Sequence, residues 1–364
     1  MKHLKTILLF LLVFFFSPFY AQEGNQDTSL INTAHLEHLY EKIAASGSQM
    51  GIIHIYADAP DYKWTEAPGE GIACVDDAAR AAIFYLRYHA AVNDSVSLDR
   101  VKSLLEFLFY MQDENGMFYN FILQGNSINR TRDNSKPKAD WWTWRAMWAV
   151  AEAYQFFKGK DSTLENKLSE SFLKILPAVN EITAKYPQTK IVNGIKVPEW
   201  LPYGCASDQA AVILMALAEY SKSADDANVK KQMKVIADGI TMMQAGDSLK
   251  FPYGAHLSWE NIWHAWGSNQ AEALLKAGEI LKDAGLIKNA LAEINNFYRY
   301  LIKEKYFSEF SVKDGRMENI KKYPQIAYGI NPLVSACIQA HRITRDTKYA
   351  EMAADIASWF FGRN

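Results

Sequence analysis

The sequence predicts an all-α fold: an (α/α) toroid of five to six helical hairpins, with about eleven helices in all. Alanine-rich helical segments recur at intervals of about 60 to 66 residues, and a more amphipathic helical segment follows each of them. Hydrophobic residues make up 49% of the 364, enough for a large core. No linker rich in proline, glycine or serine interrupts the chain, so we expect residues 22–364 to form a single domain.

The repeating segments are of two kinds. The inner ones are small or apolar around most of their circumference, which is typical of helices buried on more than one side. They start near Asp77, Thr143, Asp208, Ser268 and Asn331. The outer ones have a clear polar face and are predicted at 101–111, 164–183, 229–243, 286–302 and 349–361. An additional N-terminal helix is predicted at 34–46.

The first 21 residues have the parts of a secretory signal peptide. Lys2 and Lys5 precede the apolar run 7–16, and Ser17 and Ala21 follow it. This run is too short to span a bilayer, and no later segment reaches the roughly 20 apolar residues that a spanning helix needs. We expect an exported protein, periplasmic or secreted, without stable membrane insertion.

Charge and cysteine content exclude several classes. Removing the two lysines of the signal peptide from the 39 basic residues leaves 37 against 41 acidic ones, a formal charge of -4 that argues against nucleic acid as a partner. No CxxC, HExxH, EF-hand or dinucleotide motif occurs, so neither a metal nor a cofactor is expected. Cys74, Cys205 and Cys337 are odd in number and too few for a disulfide scaffold, so at least one should be a free, buried thiol. We expect a monomer.

A loop rich in glycine, aromatic and polar residues precedes each inner helix. In a ring of alternating hairpins these five loops meet at one end, so we expect them to share one cleft. Aromatic faces suit sugar rings, and the alternative is that the rings only fill the mouth of the barrel. The residues expected to bind substrate are Arg80, Trp141, Trp142, Trp144, Tyr203, Trp263, Trp266 and Tyr328. Trp64, Trp200 and Trp259 lie in the same set of loops.

Acidic residues in these loops could supply the pair of carboxylates that glycoside hydrolysis needs. The strongest motif is GEGIACVDDAAR, in which Asp76 and Asp77 open an inner helix and Arg80 follows one turn later. Asp76 is the better candidate for a helix cap and Asp77 for function, and Asp208 is open to both interpretations.

Glu260 and His264 lie four residues apart in SWENIWHAW. In a helical turn they would project from one side, as an acid and a proton carrier, although a lone histidine among tryptophans is more often structural. The predicted catalytic residues are Asp77, Glu260, Asp208, Glu70 and His264.

GEGIACVDDAARAA resembles the opening of an inner helix, and the ending YAEMAADIASWFFGRN the closing helix, of the six-hairpin (α/α)-toroid glycosidase superfamily. This superfamily includes many glycoside hydrolases and several polysaccharide lyases. The resemblance covers the architecture of essentially the whole chain after the signal peptide. It implies a carbohydrate-active enzyme with an oligosaccharide or polysaccharide substrate, and the catalytic assignments themselves rest on placement.

Three functions remain open, with a glycoside hydrolase first. A polysaccharide lyase would need a Tyr or His base and a cation, which could come from Tyr203, His256, His264, Arg80, Arg145 and Tyr328. A glycan-binding protein would keep the aromatic cleft without a working acid pair. A terpene cyclase is disfavoured because VDDAAR lacks the further acid of an aspartate-rich metal motif.

Overall fold

The computed structural model describes residues 31–363, which form two compact units, residues 31–178 and residues 179–363. The predicted signal peptide lies outside the described residues. Within residues 31–363, no helix combines the length and the apolarity required to cross a membrane. That residues 22–364 form a single domain stays a prediction.

The first unit contains three antiparallel strand pairs and the first helical hairpins. Its strands pair as β1 with β2, β3 with β4 and β5 with β6, and helix α2 packs against both α3 and α4. In chain order the elements are α1 (Ala34–Leu39), β1 (Tyr40–Ala45), β2 (Ser48–Ile53), β3 (Tyr56–Asp58), β4 (Lys63–Thr65), β5 (Ala73–Cys74), α2 (Val75–Val92), α3 (Ser95–Met111), β6 (Phe121–Ile122), α4 (Trp141–Phe157) and the start of α5 (Ser162–Thr183).

The second unit repeats the hairpin plan, and α8 packs against α6, α7, α9 and α11. A π-helical turn at Ile294–Tyr298 joins α9 to α10, so the two form one continuous outer helix. The elements are β7 (Thr189–Val192), β8 (Ile195–Pro198), α6 (Ser207–Ser221), α7 (Ala227–Met242), β9 (Gln244–Ala245), β10 (Ala255–His256), β11 (Ile262–His264), α8 (Gln270–Leu281), α9 (Ala284–Glu293), α10 (Arg299–Lys303), β12 (Glu309–Lys313), β13 (Arg316–Lys321), α11 (Ala327–Thr344) and α12 (Thr347–Ala357), with a final 3-10 turn at Ser358–Phe361.

The helix predictions are confirmed in number and kind. With α9 and α10 counted as one, residues 31–363 contain eleven helices. The inner helices are α2, α4, α6, α8 and α11, and they are buried on several sides: every residue of α6 from Ser207 to Tyr220 is buried. At least one buried free thiol was expected, and all three cysteines are free and buried.

An aspartate stands immediately before each outer helix and accepts hydrogen bonds from the backbone N–H groups of its first turn. Asp94, for example, accepts from the backbone of Val96 and Ser97 at 3.2 and 2.8 Å. This satisfies donors that have no partner inside the helix. The set is Asp94, Asp161, Asp226, Asp283 and Asp346. Of the five inner helices, only α4 follows an aspartate, Asp140, which accepts from the backbone N–H of Trp141 at 2.8 Å.

The predicted N-terminal helix at 34–46 is wrong beyond Leu39. Residues Tyr40–Ala45 form strand β1, which pairs with β2 through a turn with positive φ at Ser46 and Gly47. The strand pair is favoured because β2 ends in a run of buried residues and packs against α3. Tertiary burial here outweighs the local helical preference of the alanines.

Candidate functional site

The first candidate cluster is the acid pair at the start of α2. The helix is capped by Cys74, whose sulfur accepts from the backbone N–H of Asp77 at 3.4 Å. Asp76 therefore does not cap the helix, contrary to the simpler interpretation of the sequence. Both aspartates stand in the first turn, where the helix dipole favours negative charge, and both side chains keep some exposure, 20% for Asp76 and 28% for Asp77.

Asp77 accepts a hydrogen bond at each of its two carboxyl oxygens. Arg80 donates to Oδ1 at 2.5 Å, and the Cys74 thiol donates to Oδ2 at 3.1 Å. Burial raises the pKa of the Cys74 thiol, and the neighbouring Asp77 and Asp76 carboxylates raise it further, so the sulfur keeps the proton that it donates. Asp77 is therefore paired with the arginine that follows it one turn later in GEGIACVDDAAR.

Asp76 is held by Arg145 from helix α4. The Arg145 guanidinium bonds Oδ2 of Asp76 and lies 4.7 Å from the ring centre of Trp141, which stands one turn earlier on the same helix. The other oxygen of Asp76, Oδ1, is buried and has no hydrogen-bond partner among residues 31–363. Such an atom costs free energy and is unusual in a purely structural aspartate.

Replacing Arg145 with methionine should lower the free energy of unfolding by about 2 kcal/mol, because it leaves the Asp76 carboxylate without its cation in a mostly buried position. Denaturant unfolding measures this loss. Arg80→Met removes a cation from the more exposed Asp77 and should cost under about 1 kcal/mol. Adding Asp76→Asn to Arg145→Met should recover part of the loss. An Arg145→Met midpoint equal to that of the wild type would contradict a stabilising role of this pair.

Glu70 stands in a separate polar network of the same unit. Its Oε1 accepts from Asn134 at 2.6 Å, and its backbone carbonyl accepts from the buried Asn129 at 2.7 Å. Arg132 bonds the neighbouring Gly69 carbonyl at 2.8 Å. These contacts fix the loop before β5 and do not include Asp76 or Asp77. A catalytic role of Glu70 stays a prediction.

The tryptophans predicted to bind substrate differ in exposure. Trp141 is half-buried beside Arg145, and Trp266 is 39% exposed. Four others of the loop tryptophans are buried: Trp142, Trp144, Trp200 and Trp263. Trp263 packs on Phe297 and Phe310 at 5.1 Å between ring centres. The buried rings present no face to a ligand in this structure, which supports the packing interpretation for them.

The second candidate cluster lies in the second unit and contains Asp208, His264 and Trp266. Nε2 of His264 is 3.0 Å from Oδ2 of Asp208, and both side chains are at least nine-tenths buried. Nδ1 of His264 bonds the Trp266 carbonyl at 2.6 Å, and the Trp266 ring stacks on the imidazole at 3.9 Å. Because a carbonyl oxygen only accepts, Nδ1 is the donor to the Trp266 carbonyl, and Nε2 is the nitrogen that faces Asp208. The sequence predicted Asp208 and His264 separately, and the structure brings them together.

The predicted helical turn that pairs Glu260 with His264 is wrong. Trp259 and Ile262 bridge across a tight turn, in which Glu260 has a left-handed φ of +51°, and His264 ends strand β11. The strand forms because β11 pairs with β12, which inserts Trp263 into the core. Glu260 instead lies near Cys205: its backbone N–H bonds the sulfur and its charge acts on the thiol.

A cavity of about 190 Å³ adjoins Trp266. Apolar groups dominate its lining, with Ser308 and Gln325 as the polar side chains. The remaining lining residues are Ala265, Trp266, Phe307, Pro324, Ile326, Gly329 and Ile330. No sequence pattern indicated this cavity, because its walls come from the residues after β11, the residues before β12, and the start of α11 with the residues that lead into it.

Three other candidate residues of the second unit, Tyr203, Tyr328 and His256, are not part of the cluster of Asp208, His264 and Trp266. Tyr203 is 59% exposed at a residue with a φ of +52°, and Tyr328 is half-buried in the first turn of α11. His256, an alternative lyase base, is fully buried and bonded to Glu293 and Asn289 at 2.7 Å each, which fits a structural role. Among residues 31–363, no three His, Cys, Asp or Glu side chains are arranged to hold a metal ion.

Comparison with solved structures shows three similar carbohydrate-processing enzymes. A sugar epimerase from a ruminal bacterium has a TM-score of 0.60 at 15% identity, covering 85% of this chain and 79% of that one. Cellobiose 2-epimerase from Bacillus thermoamylovorans has a TM-score of 0.59 at 12% identity, with 85% and 80% covered. The GH76 α-mannanase from Bacteroides thetaiotaomicron has a TM-score of 0.56 at 12% identity, with 98% and 86% covered.

These likenesses confirm the predicted all-α, (α/α)-toroid fold class. At such low identity they establish the fold and not the reaction. No protein-family model and no curated protein sequence matches the chain.

Proposed function

We propose that this chain, whose fold is that of the six-hairpin (α/α)-toroid glycosidase superfamily, is an exported glycoside hydrolase acting on an oligosaccharide or polysaccharide. The acid pair, Asp76 and Asp77, carries the proposal: two consecutive carboxylates, each bonded to its own arginine, in the first turn of an inner helix. Hydrolysis of a glycosidic bond needs two carboxyl groups, one ionised and one protonated.

We assign the two roles by the hydrogen-bond donors around each carboxylate. Asp77 receives donors at both oxygens and is more exposed, so we assign it the role of base or nucleophile. Asp76 receives a donor at one oxygen only, and we assign it the role of general acid, with its unpartnered Oδ1 as the oxygen that carries the transferred proton. Trp141, stacked against Arg145, would meet a sugar ring beside the acid pair.

A glycan panel tests the reaction class. The mature protein is incubated with neutral glycans, α-mannan first because of the similar mannanase, and with uronic acid glycans. We expect new reducing ends without new ultraviolet absorbance. Absorbance would indicate a lyase instead. Retained binding without any turnover would indicate a glycan-binding protein and would refute the hydrolase.

Sugar epimerisation is a second candidate, favoured by the Asp208 and His264 contact beside Trp266 and its cavity. Removal of a proton from a sugar carbon would require Nε2 of His264 to turn away from Asp208, whose carboxylate would then stabilise the imidazolium that forms. Two of the similar structures are sugar epimerases. Proton NMR of a disaccharide panel in D₂O separates this reaction from hydrolysis, because it yields an epimer that carries solvent deuterium and no cleaved product.

A further inference from the structure

The hairpin formed by β3 and β4 carries an exposed group of aromatic residues that the acid pair does not use. Tyr56, Tyr62 and Trp64 are 53%, 52% and 44% exposed. Throughout the two strands no residue is buried, so the hairpin contributes almost nothing to the core. We call Tyr56, Tyr62 and Trp64 the hairpin aromatic surface. Packing does not account for three large rings in such an element.

Histidines contact two of these residues, and one of them fixes the ring of Trp64. The Trp64 ring stacks on the His54 imidazole at 3.9 Å between centres and 13° between planes, and its Nε1 donates to the His38 carbonyl at 2.9 Å. His38 in turn donates through Nε2 to the Tyr62 carbonyl at 2.6 Å. His54 is itself buried and bonds Glu41 at 2.7 Å. A ligand that packs on the Trp64 ring therefore loses little entropy in ordering that ring.

The composition of the hairpin favours a sugar over other occupants. Residues 56–65 include no Val, Ile, Leu, Met or Phe, and their two aspartates outnumber the single lysine. A net negative hairpin disfavours an anionic membrane surface, and carboxylates are depleted from the centres of protein interfaces. The same carboxylates can accept hydrogen bonds from sugar hydroxyls, while the rings pack on sugar C–H faces.

We propose that the hairpin aromatic surface is a second glycan-binding site, which holds a polysaccharide chain while the acid pair cleaves it. The inference rests on the proposed function for its substrate class. Trp64 is the central residue of the site, since one face of its ring is covered by His54 and the ring remains 44% exposed. Tyr62, which contacts the same His38 from a neighbouring position, extends the surface.

Affinity gel electrophoresis tests the proposal with α-mannan, xylan, a mixed-linkage β-glucan and polygalacturonate cast separately in native gels. We expect at least one of them to retard the wild-type protein. Trp64→Ala should raise the apparent Kd for that glycan at least about tenfold, a change of about 1.4 kcal/mol, and Trp64→Phe should raise it less. Phe361→Ala, which removes an exposed ring at the other end of the chain, should bind as the wild type does.

The readout is binding, so it is independent of turnover. Retardation that depends on Trp64 in a protein without hydrolytic activity would support the surface and refute only the hydrolase. If Trp64→Ala hydrolyses short oligosaccharides and binds the polymer as the wild type does, glycan binding by the hairpin aromatic surface is refuted. The proposed hydrolase activity is then unaffected. Absence of retardation in every gel would also refute glycan binding by the hairpin aromatic surface. A dimer in sedimentation that Trp64→Ala dissociates would refute it as well, because the surface would then bind a second copy of the chain.

Discussion

Asp77→Asn is expected to lower kcat at least about 10³-fold, with KM changed much less, because it removes the charge assigned to the base or nucleophile and keeps the side chain's shape. The variant should stay folded, since an amide oxygen can still accept from Arg80 or from the Cys74 thiol. Initial rates on the glycan that the wild type cleaves, together with circular dichroism, measure both effects.

Asp94→Asn is the matched control. It makes the same chemical change at the start of α3 in the same unit, where asparagine caps a helix as well as aspartate does. We expect wild-type kcat from it. In Asp77→Gly, azide should restore part of the rate if Asp77 is the nucleophile or base. A folded Asp77→Asn protein that retains a tenth of the wild-type kcat would refute the role assigned to Asp77.

The helices could be predicted because the alternation of apolar inner segments and amphipathic outer segments is a local sequence pattern. Recognising it does not require the tertiary structure. The inner helix predicted near Asp208 starts at Ser207, and the outer helix predicted at 164–183 spans Ser162–Thr183. The helix caps are a stronger signal of the same repeat. The five aspartates before the outer helices recur at intervals of about 60 residues, and their capping role would have fixed the phase of the repeat.

The geometry of the site was less predictable, because packing decides it. Trp141 and Trp144 stand in one short motif, yet Trp141 is half-buried beside Arg145 and Trp144 is completely buried. They are three positions apart, so they lie on nearly the same face of α4, and only the neighbouring elements distinguish them. Likewise, the left-handed φ of Glu260 turns SWENIWHAW into a tight strand turn, which spacing alone could not indicate.

Arg145 illustrates a residue that sequence reasoning underestimated. Its sequence context suggested only a cation for a lyase, whereas the structure pairs it with Asp76 from another helix. A signal did exist: an arginine in the middle of a segment as apolar as WWTWRAMWAV is almost never buried without an acidic partner. The partner's identity depends on which helices pack together, and α2 packs against α4.

Gly71→Ala is expected to have the largest effect on stability, because the new methyl group would meet backbone. Gly71 has a φ of +150°, and a Cβ there would lie 2.1 Å from the carbonyl oxygen of Ile122. That oxygen also accepts from the backbone N–H of Ile72 at 2.9 Å, where β5 approaches β6. Neither atom can move without separating the strands, so we expect a loss of about 3 kcal/mol or more in the free energy of unfolding.

The strand that this clash displaces leads directly into the acid pair. Ala73 and Cys74 form β5, and Asp76 follows two residues after Cys74. We therefore expect Gly71→Ala to lower kcat as well, under conditions where the variant is still folded. Gly125→Ala is the control: its φ is +83°, but no atom lies within 4 Å of the new Cβ, so it should cost only about 1 kcal/mol and leave kcat unchanged. Equal unfolding midpoints for the two variants would contradict this expectation. They would show that the cost of Gly71→Ala comes from left-handed backbone strain and not from the clash with Ile122.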